Sequence, residues 1–458
     1  MSSGLPTEQM ALDAASRVCG LADGVPMQAT ALVSRNRLTR LGGGVVLHHA
    51  DIDNVRVIVR ALINGAEGVV FTNDLSPDGL KMARDRAVET ARLTPAVPDR
   101  PGLPNDKQAG VPMVVDSWDD ATAVGNPEAE AVALGQALEA SRAQDAVLAG
   151  ILGRVSNARA VVNTNGLART DRSTSVHTRL IATCGEGSGH AGILVGREAD
   201  LDLPALAAKA ARIGKAASKP HGIEAGRYDV VLEPEAVIEL LEWLSMIAFG
   251  ARPWQEGRSF LKGNEGKPLT GSVVSLYDPG PTGRVSPVRF DWEGVARKRV
   301  DFICDGRGGT VVHDRVSAHQ SGCTSTGHWA VDDRFPVDGP TPGAVVMAPG
   351  KDAGNLVERL EHGLHVQRFH YVNGLLDPQK ARMTGLTRDG LFEIRDGQPI
   401  RAVRDLRFTE NILEAFGRID AISELLHSVS TFWAETGGAY AAPALLIRDF
   451  TFTGTCEV

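Results

Sequence analysis

Cysteine is scarce in this 458-residue chain, and its few copies lie far apart. No two of the five have Cys-x-x-Cys spacing, so neither a zinc knuckle nor a thioredoxin-type redox pair is indicated. An odd, sparse set is atypical of a secreted disulfide scaffold, and we expect reduced thiols and a cytoplasmic location. The five are Cys19, Cys184, Cys304, Cys323 and Cys456.

Two further absences bear on partners. Lysine and arginine number 48 against 56 acidic residues, a net charge of -8, so the basic surface of a nucleic-acid-binding protein is not expected. Apolar runs stay well short of the roughly 20 residues that span a bilayer, and residues 1–12 lack the pattern of a signal peptide. We therefore expect no membrane partner.

The common catalytic motifs are also missing. A zinc hydrolase of the HExxH or HExxxH kind needs two histidines one helical turn apart, and this chain has neither motif. Gly-x-Ser-x-Gly is absent as well. Residues 185–190, Gly-Glu-Gly-Ser-Gly-His, are not followed by the pattern of a phosphate-binding helix, so we interpret them as a turn between strands.

The densest histidine group is His362, His365 and His370. The pattern predicts a helix over residues 353–364, on which His362 and His365 would share a face, but Gly363 lies between them and Arg368 would disfavour a cation. Surface or partly buried histidines are the better interpretation. The adjacent His48 and His49 lie in a predicted strand, where neighbours point to opposite faces.

A loop at residues 321–328 holds Cys323 and His328. A thiol and an imidazole near each other in sequence leave a nucleophilic pair open as a hypothesis. Loops carry function more often than cores do, but an isolated cysteine near a histidine is usually not catalytic.

What the chain does contain is typical of a soluble globular protein, with 43% hydrophobic residues, 50 glycines and 24 prolines. The pattern predicts helices over residues 53–63, 234–249 and 411–426, and many short strands. This mixture favours the α+β class. We predict two domains: residues 1–222, with an α/β arrangement, and residues 223–458, rich in strands.

Several short motifs occur in an order that resembles one family. They are Gly-Ala-Glu-Gly at 65–68, Val-Leu-Glu-Pro-Glu-Ala at 231–236, Ser-Phe-Leu at 259–261, Phe-Asp-Trp-Glu-Gly at 290–294 and Thr-Gly-His at 326–328. In this order the chain resembles the TldD/PmbA family, also called modulators of DNA gyrase. The resemblance implies an N-terminal α/β domain, a C-terminal β-rich domain and a hollow dimer of two subunit types.

In that family, TldD-type subunits carry HExxxH in the helix after the opening strand of the C-terminal domain, and a later cysteine ligand. The matching helix here, residues 235–249, contains no histidine, residues 435–440 contain no cysteine, and Cys456 lies beyond the final strand. The resemblance therefore implies a TldE-like subunit with no metal site or cofactor of its own. Zinc would belong to a TldD-like partner, and the ligand would be a peptide.

The same resemblance makes Thr326, Gly327 and His328 candidate substrate-binding residues. Two alternatives stay open: an independent enzyme with a site near Cys323 and His328, and a homodimeric binding protein. The sequence names no substrate.

Overall fold

The computed structural model describes residues 4–282, 287–332, 337–429 and 439–455. Its first half is built on one antiparallel six-stranded sheet in the order β3-β2-β1-β4-β5-β6. Long apolar and β-branched runs joined by tight turns produce its long strands. The strands are β1 (Met27–Gly42), β2 (Val45–Ile63), β3 (Ala66–Thr72), β4 (Val147–Asn163), β5 (Ala168–Cys184) and β6 (Gly187–Val195).

Helices cover one face of this sheet. Side chains alternate along β1, so Ala29 and Ala31 pack into the core beneath the helices, while Gln28 and Thr30 hydrogen-bond to the Trp292 carbonyl on the other face. The sheet is thus buried on both sides along part of its length. The helices of this half are α1 (Glu8–Cys19), α2 (Pro77–Leu93), α3 (Asp106–Ala109), α4 (Asp120–Val124), α5 (Pro127–Arg142) and α6 (Leu203–Ala216).

The helix predicted over residues 53–63 is wrong, because these residues belong to β2. Val57 and Val59 face the helices, and Ile58 is buried on the opposite face. Burial on both faces makes an apolar run that resembles helical spacing, and only the pairing of β2 with β1 and β3 resolves the ambiguity.

The second half contains many shorter strands, as predicted for its β-rich character. They are β7 (Arg227–Leu232), β8 (Leu276–Asp278), β9 (Val300–Cys304), β10 (Arg307–Gly308), β11 (Trp329–Asp332), β12 (Val337–Pro340), β13 (Ala344–Met347), β14 (His362–Asp377), β15 (Arg382–Arg395), β16 (Gln398–Ala402), β17 (Leu406–Asn411), β18 (Ile419–Ile422), β19 (His427–Val429), β20 (Ala439–Ala442) and β21 (Leu445–Thr455).

Five of these strands close into a ring. β14 pairs with β7, then come β21, β17 and β15, and β15 pairs again with β14. Phe369, Phe408 and Phe450 fill this part of the core, with ring centroids 4.5 Å apart for the first two. A second sheet has the order β10-β9-β8-β13-β20-β19.

Helix α7 (Pro234–Leu244) packs against β14 of the ring and β20 of the second sheet, and continues into a π-helical turn at Ser245–Phe249. Pro234 is the first residue of α7 and follows β7 after Glu233 alone. Proline is favourable at this position because the first N–H of a helix has no partner within the helix. The described residues of this half also form three short α-helices: α8 (Ala251–Gln255), α9 (Arg315–Gln320) and α10 (Ile412–Gly417).

Two further helix predictions need correction. Residues 353–364 form only a 3-10 turn at Leu356–Arg359 before β14 begins at His362. The helix predicted over residues 411–426 ends at Gly417 and is followed by β18. The α+β class is confirmed, whereas the domain boundary after residue 222 stays a prediction. Within the described ranges, no helix combines the length and the apolar character that crossing a membrane requires.

Candidate functional site

A cavity of about 490 Å³ lies at the amino end of α7, a size typical of sites for small ligands. Strand β6 and helix α6 contribute from the first half of the chain, and β14 and the loop before β19 contribute from the second. Its polar lining includes His190, Lys209, Glu233, Glu235, Gln367 and His427.

Glu235 lies in the first turn of α7 and is buried. Its Oε2 is hydrogen-bonded to His190 Nδ1, and its Oε1 accepts a hydrogen bond from the Gly192 N–H at 3.3 Å. Burial raises the pKa of Glu235, but the charge and hydrogen bond of His190 outweigh it and lower the pKa to about 2. The carboxylate is therefore ionised at neutral pH.

Glu233 precedes α7 and forms a second acid–imidazole pair. Its Oε1 lies 2.7 Å from His365 Nε2 on β14, and Gln367 Nε2 lies 3.1 Å from the same imidazole nitrogen. Burial raises the pKa of Glu233, yet the hydrogen bond and charge of His365 leave it below its ordinary value. The carboxylates of Glu233 and Glu235 are thus both negatively charged. These two residues and His427 form what we call the cavity floor.

His427 completes the floor at the start of β19. Its Nε2 donates to the Gly192 carbonyl at 2.8 Å and lies 4.0 Å from Glu235 Oε1. Burial lowers the pKa of His427 more than Glu235 raises it, so this imidazole is mostly neutral near pH 7. Its proton therefore sits on Nε2, facing Gly192.

Part of the cavity wall is apolar, beside the polar residues Asn355 and Ser423. Leu356 is buried within it, whereas Leu425 and Leu426 are exposed at its rim, Leu425 to 75%. Contiguous apolar patches, rather than single exposed side chains, are what mark contact sites. The site can accommodate a ligand that has a polar group next to an apolar one.

A metal centre is not supported by the side chains in the part of the chain described above. There, no three His, Cys, Asp or Glu side chains are arranged to hold a metal ion. Glu233 pairs with His365 and Glu235 with His190, and His427 Nε2 lies 4.0 Å from Glu235 Oε1. The described residues of the cavity therefore do not fit zinc.

Gly327 and His328 are buried, and Thr326 before them is half-buried. His328 is 2% exposed, its Nδ1 lies 3.0 Å from Thr326 Oγ1, and its Nε2 lies 3.1 Å from Asp278 Oδ2. Burial lowers the pKa of His328 despite the opposing charge of Asp278. The three residues fasten a loop here, and their contact with substrate stays a prediction.

Asp278 organises this interior cluster. Its Oδ2 accepts hydrogen bonds from the backbone N–H groups of Gly343 and Ala344 at 2.8 and 3.1 Å and lies 3.1 Å from Arg297 Nη2. Burial opposes its ionisation, but Arg297 and His328 hold the pKa of Asp278 far below its usual range.

The structure does not join Cys323 to His328 as a nucleophilic pair. The His328 side chain is fully buried beside Thr326 and Asp278, whereas Cys323 is exposed. Burial raises the pKa of the Cys323 thiol, which lowers its thiolate fraction at neutral pH.

The histidine group of β14 is dispersed along a strand. His362 and His365 point to opposite faces, His362 Nε2 lying 3.5 Å from Glu393 Oε1 and His365 contacting Glu233. His370 packs edge-on against Tyr371. Of these three histidines, only His365 contacts a residue of the cavity, namely Glu233.

Sequence reasoning missed His190, His427 and the role of the two glutamates. The junction of β7 and α7 was a signal, because sites often form where strands end and helices begin. Nothing in the sequence connects His190 to Glu235, which lies 45 positions later, or His427 to Gly192. Those contacts exist only once the two halves are packed together.

Sequence models of two domains match this chain: the PmbA/TldA metallopeptidase C-terminal domain over residues 225–454 and the central domain over residues 125–217. The chain belongs to the PmbA/TldD family. The family resemblance drawn from the short motifs is thereby confirmed, and the α7 junction with Glu233 and Glu235 falls within the C-terminal domain.

Curated relatives match over part of the chain. A metalloprotease of Methanothermobacter thermautotrophicus is 23% identical over 254 residues, 54% of this chain and 54% of the relative. A metalloprotease of Synechocystis is 25% identical over 194 residues, 40% of each chain. An uncharacterized protein of Methanocaldococcus jannaschii is 27% identical over 196 residues, 41% of this chain and 44% of the relative. The matches thus span about half the length of these relatives or less.

Solved structures match over nearly the whole length. TldE from Thermococcus kodakarensis superimposes with a TM-score of 0.86 at 17% identity, covering 98% of this chain and 100% of that one. A Thermotoga maritima protein described as a modulator of a DNA gyrase gives 0.81 at 18% identity, with 98% and 100% covered. At such identities the likeness establishes the fold alone.

Proposed function

We propose that this chain is a non-catalytic, TldE-like subunit of a two-subunit zinc peptidase. It would shape the cavity in which a TldD-like partner cleaves peptides or modified peptides. The metalloprotease names of two relatives and the fold shared with TldE support this proposal.

The observation that carries the proposal is the sequence of α7. A zinc hydrolase supplies two or three protein ligands and a water, usually with histidines on one helix face. Helix α7 and the following π-helical turn contain no histidine, and its acidic residues are Glu235, Glu239 and Glu242. The Glu235 carboxylate is already hydrogen-bonded to His190. Water activation would therefore have to come from the partner.

The test is co-expression with a TldD-like chain, with an affinity tag on this chain only. We expect a stable complex of the two chains, one zinc ion per complex by elemental analysis, and peptidase activity. The isolated chain should hold substoichiometric zinc and cleave nothing, because it lacks the ligands.

A matched control replaces the HExxxH glutamate of the partner by glutamine. Activity should disappear while the mass of the complex, measured by light scattering, stays the same. Stoichiometric zinc with peptidase activity in the isolated chain would overturn the proposal.

Two outcomes would favour the alternatives. Activity of the isolated chain that disappears in Cys323→Ala would indicate an independent enzyme. A self-assembled dimer whose mass is unchanged by the added TldD-like chain would indicate a homodimeric binding protein.

The proposal keeps the cytoplasmic location that the scattered cysteines led us to expect.

A further inference from the structure

We propose that Tyr371 on β14 contacts an aromatic or large aliphatic side chain of the peptide ligand. The inference rests on the proposed function in one respect, that the ligand is a peptide. The backbone conformation of Tyr371, the exposure of its ring and its place beside the junction of the two halves support it.

Tyr371 has a backbone conformation that its residue type disfavours. Its φ is 53°, in the left-handed region, where a side chain costs about 1–2 kcal/mol. Eight of the ten described non-glycine residues with a positive φ are Asp or Asn, whose short polar side chains tolerate this region. The other two are Tyr371 and Ala381, and Ala381 is a small, buried residue that ends a 3-10 turn. Tyr371 is thus the one bulky side chain at such a position among the described residues.

A β-bulge accounts for this conformation but not for the tyrosine. Between the pairs His370–Leu386 and Asn373–Thr384, β14 has two residues where β15 has one. In one common type of bulge, the first bulged residue is left-handed and is usually glycine. Glycine at position 371 would therefore form the same bulge without the strain.

The phenol ring contributes little to the packing of the fold. Tyr371 is 80% exposed, and its ring meets His370 edge-on at a centroid distance of 5.0 Å. Leu375 and Leu376, further along the same strand, are exposed to 63% and 48%. A strained residue whose side chain the fold does not bury indicates a contact with another molecule.

Tyr371 lies beside the junction of the two halves. On the neighbouring strand β15, Asp389 accepts a hydrogen bond from Ser188 Oγ on β6 at 2.6 Å. Burial lowers the pKa of His370, and among the charges that lower it further is that of Arg179 on β5. The residue before Tyr371 therefore lies close to the first sheet, and a peptide held between the halves would pass the tyrosine ring.

A mixed set of charges surrounds this place, so no preference for a charged ligand follows. Arg179, Arg368 and Arg388 are cationic, and Arg368 Nε is paired with Asp389 Oδ2 at 2.6 Å. Glu239 on α7 lies near Arg368 and Arg179, and burial raises the pKa of its carboxyl group. What the position offers beyond these charges is a large, rigid aromatic ring, which fits an apolar or aromatic side chain.

Photo-cross-linking from position 371 identifies the contacted molecule. Tyr371 is replaced by p-benzoylphenylalanine, both in the isolated full chain and in the complex with the inactive glutamine variant of the TldD-like partner. The probe is a biotinylated six-residue peptide with a central phenylalanine, and its matched control has glycine at that place. We expect the phenylalanine peptide to be labelled about tenfold more than the glycine peptide. Cross-links to the partner chain alone, equal labelling of the two peptides or no labelling would each overturn the proposal.

Tyr371→Gly tests whether the fold needs the tyrosine. Its free energy of urea unfolding should be unchanged or higher by up to about 1 kcal/mol, because the relief of strain is offset in part by the greater entropy of the unfolded chain. Its affinity for the phenylalanine peptide, measured by fluorescence anisotropy, should fall about tenfold. Unchanged affinity would overturn the proposal, and so would a clear loss of stability, which would show that the ring supports the fold.

Asp396→Gly is the matched control, at an exposed left-handed residue of the turn between β15 and β16. It should keep both the stability and the peptide affinity of the unmodified chain. The proposed function is tested separately by assembly and zinc content. A chain that assembles normally but does not label the peptide from position 371 refutes only this inference, whereas a chain that labels the peptide but never assembles refutes only the proposed function.

Discussion

At the scale of single residues, the pair of Glu235 and His190 makes stability depend on pH. The carboxylate is buried, and removal from water alone would keep it protonated. His190 reverses that preference and brings the pKa from 4.5 to about 2. Because folding lowers this pKa, the ionised carboxylate stabilises the fold above its ordinary pKa, and this contribution is lost as the pH falls toward the folded value.

Glu235→Gln should therefore reduce stability most at neutral pH. A pKa shift of this size contributes about 3 kcal/mol to the free energy of unfolding at neutral pH, and the glutamine variant lacks this contribution. We expect the difference in the free energy of urea unfolding between the two proteins to shrink steadily from roughly pH 5 to pH 3. A difference that stays constant over this range would show that the carboxylate contributes nothing through its charge.

At the scale of elements, Gly363 decides how closely β14 and β7 approach. The next residue, Leu364, pairs with Val230 in this parallel contact. A Cβ atom on Gly363 would lie 2.3 Å from the Asp229 carbonyl oxygen, too close for the two strands to stay in place. Gly363, which falls near the end of the helix predicted over residues 353–364, is in fact a requirement of strand packing.

Gly363→Ala should lower the thermal unfolding temperature, with a cost of about 1–3 kcal/mol for the forced separation of backbone atoms. Gly222→Ala is the matched control, since its Cβ would meet nothing within 4 Å and its φ is not positive. Equal unfolding temperatures of the two variants would contradict this account of the β7–β14 contact.

Local sequence signals agree with the structure in helices that have one solvent-facing side. Helices α1 and α2 directly follow Thr7 and Ser76, whose side chains each accept a hydrogen bond from a backbone N–H of the first turn, as their residue types favour. Two of the wrong helix predictions fall where both sides of an element are buried or where a glycine can have two roles. Residues 53–63 illustrate the first case and Gly363 the second.

The candidate site was less predictable than the fold. His365 was noticed within a histidine group, but its partner Glu233 lies 132 positions away in sequence and meets it only because β14 pairs with β7. His190 ends the glycine-rich segment that was interpreted as a turn but lies in β6, and His427 stands in a segment without any recognisable motif. Contacts between distant segments depend on the packed topology, which short motifs do not encode.

At the scale of the whole molecule, the loop around Trp292 joins the two halves. Its Trp292 carbonyl accepts hydrogen bonds from Gln28 and Thr30 on β1, and Glu293 Oε1 accepts one from Arg60 Nη1 on β2 at 2.8 Å. Glu293 is 2% exposed, and the side chain of Arg60 is 4% exposed. A buried ion pair between the two halves should make each depend on the other for stability.

Glu293→Gln should weaken both halves together. Removing one charge leaves Arg60 buried with Glu67 as its remaining ionic partner, at a cost of about 2–4 kcal/mol. We expect faster native-state hydrogen exchange both in β2 and in β9 of the second half, because opening of the shared loop exposes both. The exposed pair of Glu139 and Arg142 supplies the control, and Glu139→Gln should change exchange by less than the equivalent of about 1 kcal/mol. Faster exchange confined to one half would show that the loop is a local support and does not couple the two.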